Sequence, residues 1–310
     1  MRMNATSISC FIFQGFPRQL EVQLLMFISL SVIYMVSVTG NCLIIFVTWA
    51  DITLHTPMYY FLRVLSFLEV CYISVTIPKM LHSLLSEDKS ISFGGCAVQM
   101  YFILFLGTVE CFLLASMSYD RYVAICLPLR YSALLSKEVC IHLTSASWLC
   151  GILIPLMNTS WTFSLPYCGS NVINHFYCDF PPVLKLACAD TSLNEAVMLM
   201  SSLVITLIPF VLIITSYTCI LGIIIRTPSA EGRHKVFSTC SSHLLMVTFF
   251  YGTASFTYLQ PKSSYSLKRD KLLSLFYTVV TPMLNPIVYS LRNTEVKKAL
   301  RKILKRKVLF

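Results

Sequence analysis

An acid, a base and a phenol stand side by side at Asp120-Arg121-Tyr122, where a long apolar stretch gives way to basic, proline-containing sequence (MSYDRYVAICLPLRY, residues 117–131). Charge is costly at the edge of a hydrocarbon slab, so an acid beside an arginine there is not incidental. The plain reading is a helix-end ion pair that marks the water boundary. The sharper one is a switch, with Arg121 held by Asp120 and released to a partner. Two carboxylates, Glu69 and Glu110, interrupt otherwise apolar runs. A carboxylate in such surroundings neutralises or finds a cation. His175 and Cys178, in NHFYCD, are ligand types for a transition metal, provided that the thiol is free. Of thirteen cysteines, most, Cys42, Cys71, Cys111, Cys150 and Cys219 among them, lie in apolar runs, where burial as small apolar side chains is the plain reading. Cys96, Cys168, Cys178 and Cys188 share one side of the layer, where an oxidising compartment favours disulfides; counting does not set their connectivity.

These residues must be positioned by membrane helices. The chain of 310 residues is 56% hydrophobic and only 12% charged, and a spanning helix needs roughly 20 mostly apolar residues. Residues 22–50, 139–178, 196–225, 236–261 and 272–291 contain no Asp, Glu, Lys or Arg; 64–78 and 90–119 qualify with one glutamate each. The expected fold is all-α: a single seven-transmembrane helix bundle over 1–310, with spans near 22–50, 57–82, 93–126, 139–162, 195–226, 235–260 and 271–291. Lysine and arginine concentrate beside Arg63, Arg121, Arg130, Lys137, Arg226, Arg233 and the C-terminal tail, so that side reads as cytoplasmic. The net charge of +10 thus signals orientation and contact with anionic lipid, not nucleic acid. The N-terminus is expected outside, where the sequon Asn4-Ala5-Thr6 has a use. No cleavable signal peptide is expected ahead of the first span, since residues 1–21 lack a continuous apolar core with a small-residue cleavage site.

The inner loops are too short for a catalytic domain. Val296, Leu300, Ile303 and Leu304 recur at helical spacing among lysines and arginines, which reads as an amphipathic interfacial helix over 294–308; a disordered basic tail is the alternative. Pro155, Pro209, Pro282 and Pro286 fall inside spans. Asn285-Pro286 with Tyr289 one turn later is either a hinge or a fixed kink.

In order along the chain stand Gly40-Asn41, LHTPMYYFL (54–62), MSYDRYVAIC (117–126), Ser216-Tyr217, KVFSTCSSHL (235–244) and PMLNPIVYSLRN (282–293). Together they resemble the rhodopsin-like G-protein-coupled receptors, and within them the class II (tetrapod-type) olfactory receptors. Leu127, where that family usually has histidine, and Tyr60, where it usually has phenylalanine, are departures on the cytoplasmic side. The resemblance implies disulfides Cys96–Cys178 and Cys168–Cys188. It also implies a switch of Asp120, Arg121, Tyr122, Tyr217, Asn285, Pro286 and Tyr289, in which the two tyrosines swing in to hold Arg121 against a stimulatory G protein. In such receptors, acids at the places of Glu69 and Glu110 resemble a sodium site, here with Asn41, Ser116 or Asn285 as helpers. Protonated carboxyls are the competing account. No other cofactor is implied.

By helix facing, the ligand pocket falls to Ile103, Leu104, Gly107, Thr108, Met198, Ser201, Ser202, Ile205, Tyr251, Ser255, Tyr258 and Thr278. This is an apolar surface with a few hydroxyls, suited to a small, neutral, largely hydrophobic odorant. The outer half of the third span (Tyr101, Phe102, Ile103, Leu104, Thr108) offers no acid for an amine, and 272–291 holds no lysine for a retinal Schiff base. The expected function is a plasma-membrane odorant receptor that raises cAMP, and not an enzyme. A non-olfactory receptor of the same fold would lack KVFSTCSSHL. A transporter or channel would show inverted repeats or broken helices around a midplane site, and none is visible.

Overall fold

The computed structural model describes residues 8–17, 19–258, 267–291 and 294–308. Asn4 lies outside them, as do the side chains of Tyr258 and Tyr289. Among the described residues, seven long helical segments form the bundle: α1 (Leu20–Ala50), α2 (Pro57–Leu85), α3 (Phe93–Cys126), α4 (Lys137–Phe163), α5 (Ser192–Arg226), α6 (Ala230–Tyr258) and α7. The last is composite, running through Leu267–Leu275, a π-helical turn Phe276–Val280, and Thr281–Leu291. Six of the described helices are long and apolar enough to cross a membrane. The exception is α6, whose apolar run is diluted by Ser238, Ser241, Ser242 and His243.

Local chemistry sets the helix starts. Ser92 and Ser136 cap α3 and α4 by accepting the N–H groups of Gly95 (3.1 Å) and Val139 (3.4 Å), and Pro57 opens α2 where no N–H is needed. Leu25 and Met35 on α1, and Leu207 and Val211 on α5, point outward as a hydrocarbon solvent demands. α3 is the central, most buried helix.

Two close approaches explain small residues. Pro286 has no N–H, which would leave the carbonyl of Pro282 orphaned inside α7. Asn41 Nδ2 of α1 donates to that carbonyl at 3.3 Å. It can do so because Gly40 lets the helices touch: a Cβ there would stand 2.8 Å from Pro286 Cβ. Where α3 meets α4, a Cβ on Gly151 would meet Val109 Cγ2 at 2.5 Å and the Phe105 carbonyl at 3.1 Å. Gly151→Leu should therefore force the two helices apart, at a cost of about 1–3 kcal/mol or more. The expected outcome is loss of most surface display by flow cytometry, with Gly107→Ala, which meets nothing within 4 Å, as the tolerated comparison.

One end of the bundle carries a small sheet that the sequence did not announce. β1 (Cys10–Phe13) lies between β2 (Ser90–Ser92), antiparallel, and β3 (Val172–Ile173), parallel. Phe11 and Phe13 are buried beneath it with Tyr167, Tyr177 and the ends of α2 and α3. At the opposite, basic end, α8 (Thr294–Val308) packs Val296 and Ala299 onto Val47 and Leu54. Lys302 Nζ sits 3.2 Å from Asp51, whose carboxyl is held below the usual range first by hydrogen bonds from Thr53 and then by Lys302. The tail over this range is a helix packed on the bundle rather than a disordered strand of charge.

Candidate functional site

A cavity opens between α2, α3, α5, α6 and α7 toward the disulfide end, offering about 70 Å³ to the centre of a water-sized sphere. A single water needs roughly 10–15 Å³ on that measure, so the space takes a small organic molecule. Seven of the residues assigned by helix facing line it: Ile103, Leu104, Gly107, Thr108, Met198, Ser202 and Ile205. Four others do not. Ser201 turns to α4, accepting from Asn158 Nδ2 at 3.2 Å, and Thr278 is buried against its own helix, donating to the Ser274 carbonyl. Tyr251 lies below, with its hydroxyl on the Cys111 carbonyl at 3.0 Å, and Ser255 is absent from the lining. Tyr72, Cys111, Thr206, Phe250, Ala254 and Tyr277 complete the wall and were not anticipated. Among the described residues no hydrogen bond engages the hydroxyls of Ser202 or Thr206.

The roof is the loop after α4. Cys96–Cys178 ties it to the start of α3, and Cys168–Cys188 closes the loop on itself. Gln99 Oε1 accepts the Cys178 N–H at 2.9 Å while its amide donates to the Val75 carbonyl at 3.1 Å, so one side chain joins α2, α3 and roof. Tyr177 OH donates to Tyr277 OH at 3.1 Å, linking the roof to the cavity wall. Because Cys178 is spent in a disulfide, a His175–Cys178 metal pair does not exist. Among the described residues no group of three or more His, Cys, Asp or Glu could hold a metal ion.

His175 instead lies buried beside Ser274 (Nε2 to Oγ, 3.0 Å), and burial pushes its pKa down to about 4. A histidine that folds neutral stabilises the folded state above its unfolded value of 6.5 and loses that contribution as pH falls from there towards 4. The odorant response should thus decline across that window at constant surface level, measured with a pH-insensitive intracellular cAMP reporter. His175→Asn should flatten the decline.

Deeper in the bundle, Glu69 (0% exposed) and Glu110 (4%) face each other, and Asn285 Nδ2 donates to Glu69 Oε1. The second Glu69 oxygen, Asn41 Oδ1 and Asn285 Oδ1 are buried without a hydrogen-bond partner. Oxygens left bare in this way form the donor set a hard monovalent cation prefers, so these residues fit a sodium ion. Ser116 gives its hydroxyl proton to the Phe112 carbonyl, at 3.0 Å.

At the basic end, Asp120 is not ion-paired with Arg121. Its carboxylate accepts from Tyr131 OH at 2.8 Å, and the buried Nε of Arg121 has no partner. Tyr122 packs in the core of this end. Tyr217 is turned not onto Arg121 but onto His243, 2.7 Å from Nδ1, while His243 Nε2 meets the Leu114 carbonyl at 3.1 Å. A carbonyl only accepts, so Nε2 carries the proton, Nδ1 accepts from the tyrosine, and one imidazole joins α3, α5 and α6. His243 was overlooked, although a histidine near the end of KVFSTCSSHL within an apolar helix is itself a signal for a buried polar bond.

The chain matches the family model described as olfactory receptor over residues 30–307. It is 55% identical over 298 residues to human olfactory receptor 10A5 (96% of this chain, 94% of that one). It is 52% identical to human olfactory receptor 10C1 (99% of each chain) and 51% identical to mouse olfactory receptor 5AP2 (97% and 95%). The chain therefore belongs to the olfactory receptor family, as a multi-pass, seven-helix membrane receptor of the G-protein-coupled class and not an enzyme.

Proposed function

We propose that this receptor binds a small, neutral, largely hydrophobic odorant in the cavity roofed by the disulfide-tied loop, and in response engages a stimulatory G protein that raises cAMP. The observation that carries the ligand class is the lining: aliphatic and aromatic walls, no charged side chain, and the hydroxyls of Thr108, Ser202 and Thr206 to orient one polar group. Thr108 already donates to the Leu104 carbonyl, so it meets a ligand as an acceptor, whereas Ser202 and Thr206 can do either.

The signal has a short path. Phe250 and Cys111 line the cavity, Tyr251 bonds the Cys111 carbonyl, and His243 lies two turns further along α6 on Leu114 of the same α3. A ligand that favours one arrangement of Phe250 and Tyr251 biases how α6 seats on α3, and differential affinity for the two arrangements is all that it must supply. At the basic end, Arg121 with its uncommitted Nε and Leu129, 99% exposed on the loop after α3, present a charge and an apolar knob to the G protein. Sodium at Glu69, Glu110, Asn41 and Asn285 belongs to the same proposal: it would hold α1, α2, α3 and α7 together, and it supplies charge balance, not chemistry. The side bearing both disulfides and β1 is the extracellular one, since disulfides persist in an oxidising compartment. The basic loops and α8 then face the cytoplasm of the plasma membrane.

The test is cAMP in cells expressing the tagged receptor, challenged with a broad odorant panel, with Arg121→Ala beside wild type at matched surface level. A response that disappears in the variant supports the proposal. A response that persists removes Arg121 from the coupling step.

A further inference from the structure

A second cavity lies at the basic end, between the start of α2, the loop before it and the start of α4, and none of the receptor chemistry above uses it. It offers about 430 Å³ to the centre of a water-sized sphere. Three bases, His55, Arg63 and Lys137, line it together with the Tyr60 hydroxyl, and no acid does. We propose that this cavity holds the headgroup of a phosphorylated inositol lipid from the surrounding membrane leaflet.

The charge on Arg63 is held in place without an acid. Arg63 is anchored by Nη2 on the Thr48 carbonyl (2.6 Å) and by Nε on Thr48 Oγ1 (3.3 Å), both neutral acceptors, so its charge stays available. His55 donates Nε2–H to the Trp49 carbonyl at 3.0 Å, which orients the ring. Asp51, the acid in the loop before α2, is turned away and occupied by Lys302 of α8. Glu138 follows Lys137, yet no ion pair joins Lys137 to an acid among the described residues. Thr56 and Pro57, also in the lining, place the positive N-terminal end of α2 at the same wall. Basic pockets between membrane helices at the leaflet surface are suited to multiply phosphorylated headgroups. Two cations, Arg63 and Lys137, with the His55 imidazole beside them and no acid in the lining, match two phosphates better than the single phosphodiester and zwitterion of phosphatidylserine.

Tyr60 gives the site a feature of its own. Its ring packs on Phe61, and its hydroxyl makes no hydrogen bond among the described residues. A phenylalanine would fill the same volume, so the hydroxyl adds a hydrogen-bonding group to this wall and nothing else.

The experiment is native mass spectrometry of the full-length receptor, purified in detergent and titrated with phosphatidylinositol 4,5-bisphosphate, phosphatidylserine or phosphatidylcholine. Wild type should retain the phosphoinositide in preference to both others. Arg63→Gln with Lys137→Gln should weaken retention roughly tenfold or more, and Tyr60→Phe a few-fold. Lys298→Gln with Arg301→Gln, on the exposed face of α8, should leave the selective component in place. Loss of selectivity in the α8 variant alone would move the lipid to that helix and overturn the proposal. Soluble inositol trisphosphate that displaces the lipid at equal concentration would also overturn it, by making the cavity a plain anion site. Should the double variant fold poorly, a photoactivatable headgroup on wild type decides: crosslinks within residues 55–63 and 135–140 support the proposal, and crosslinks confined elsewhere refute it. None of these readouts involves odorant or cAMP.

Discussion

Replacing Cys178 by serine will remove most of the receptor from the cell surface and silence the fraction that arrives. The bond it breaks closes a loop with a sequence separation of 82, whereas Cys168–Cys188 spans only 20. On the chain-entropy account these closures are worth about 4.5 and about 3 kcal/mol respectively, against a total stability of roughly 5–15 kcal/mol for a domain. The longer one also positions a built roof. Without it, the Gln99 link to the Cys178 N–H and the Tyr177–Tyr277 bond over the cavity lose their anchor. The double variant Cys96→Ser/Cys178→Ser leaves no stray thiol and should behave as Cys178→Ser does. Cys168→Ser should be milder, and Tyr177→Phe, which loses one hydrogen bond of about 1 kcal/mol, milder still. Surface cytometry alongside odorant dose–response curves ranks the four. An equal loss for Cys168→Ser would sink the loop-closure explanation.

The second large effect is expected from His243→Phe, which keeps an aromatic ring but deletes both bonds of the imidazole. Those bonds seat α6 on α3 through the Leu114 carbonyl and tie α5 to α6 through Tyr217. At about 1 kcal/mol each, their removal shifts the balance between seated and released α6 by roughly 30-fold. Basal cAMP at matched surface level should rise several-fold. Tyr217→Phe, which loses only one bond, should raise it less. A fall in both basal and stimulated cAMP would mean that the imidazole belongs to the signalling arrangement instead of the resting one.

Much of the architecture was legible because membrane helices announce themselves by composition. The disulfide-linked side was legible from four cysteines that share one flank. Within the cavity, α3 and α5 are regular where they line it, so Ile103, Gly107, Met198 and Ile205, chosen by helical turns, fall on its wall. The count failed on α7 for a physical reason. The π turn Phe276–Val280 inserts an extra residue into the ladder and rotates the face, so Tyr277 meets the cavity and Thr278 turns into the packing. Asn41 shows a different limit. Its motif was visible, yet its task of covering the carbonyl that Pro286 leaves bare depends on a residue 241 positions away. The small sheet was invisible because strands of four, three and two residues carry no periodicity of their own.

That sheet also sets a clock. β1 is made before both of its partners, and its parallel partner β3 lies about 160 residues later, beyond four membrane helices. At synthesis rates of roughly 5–20 residues per second, β1 waits about 8–30 seconds with one edge unpaired. It can take up β2 during that interval and cannot be finished until the loop after α4 emerges. A cell thus has a brief period in which the open edge of residues 10–13 is accessible to chaperones, and the arrival of Val172–Ile173 ends it.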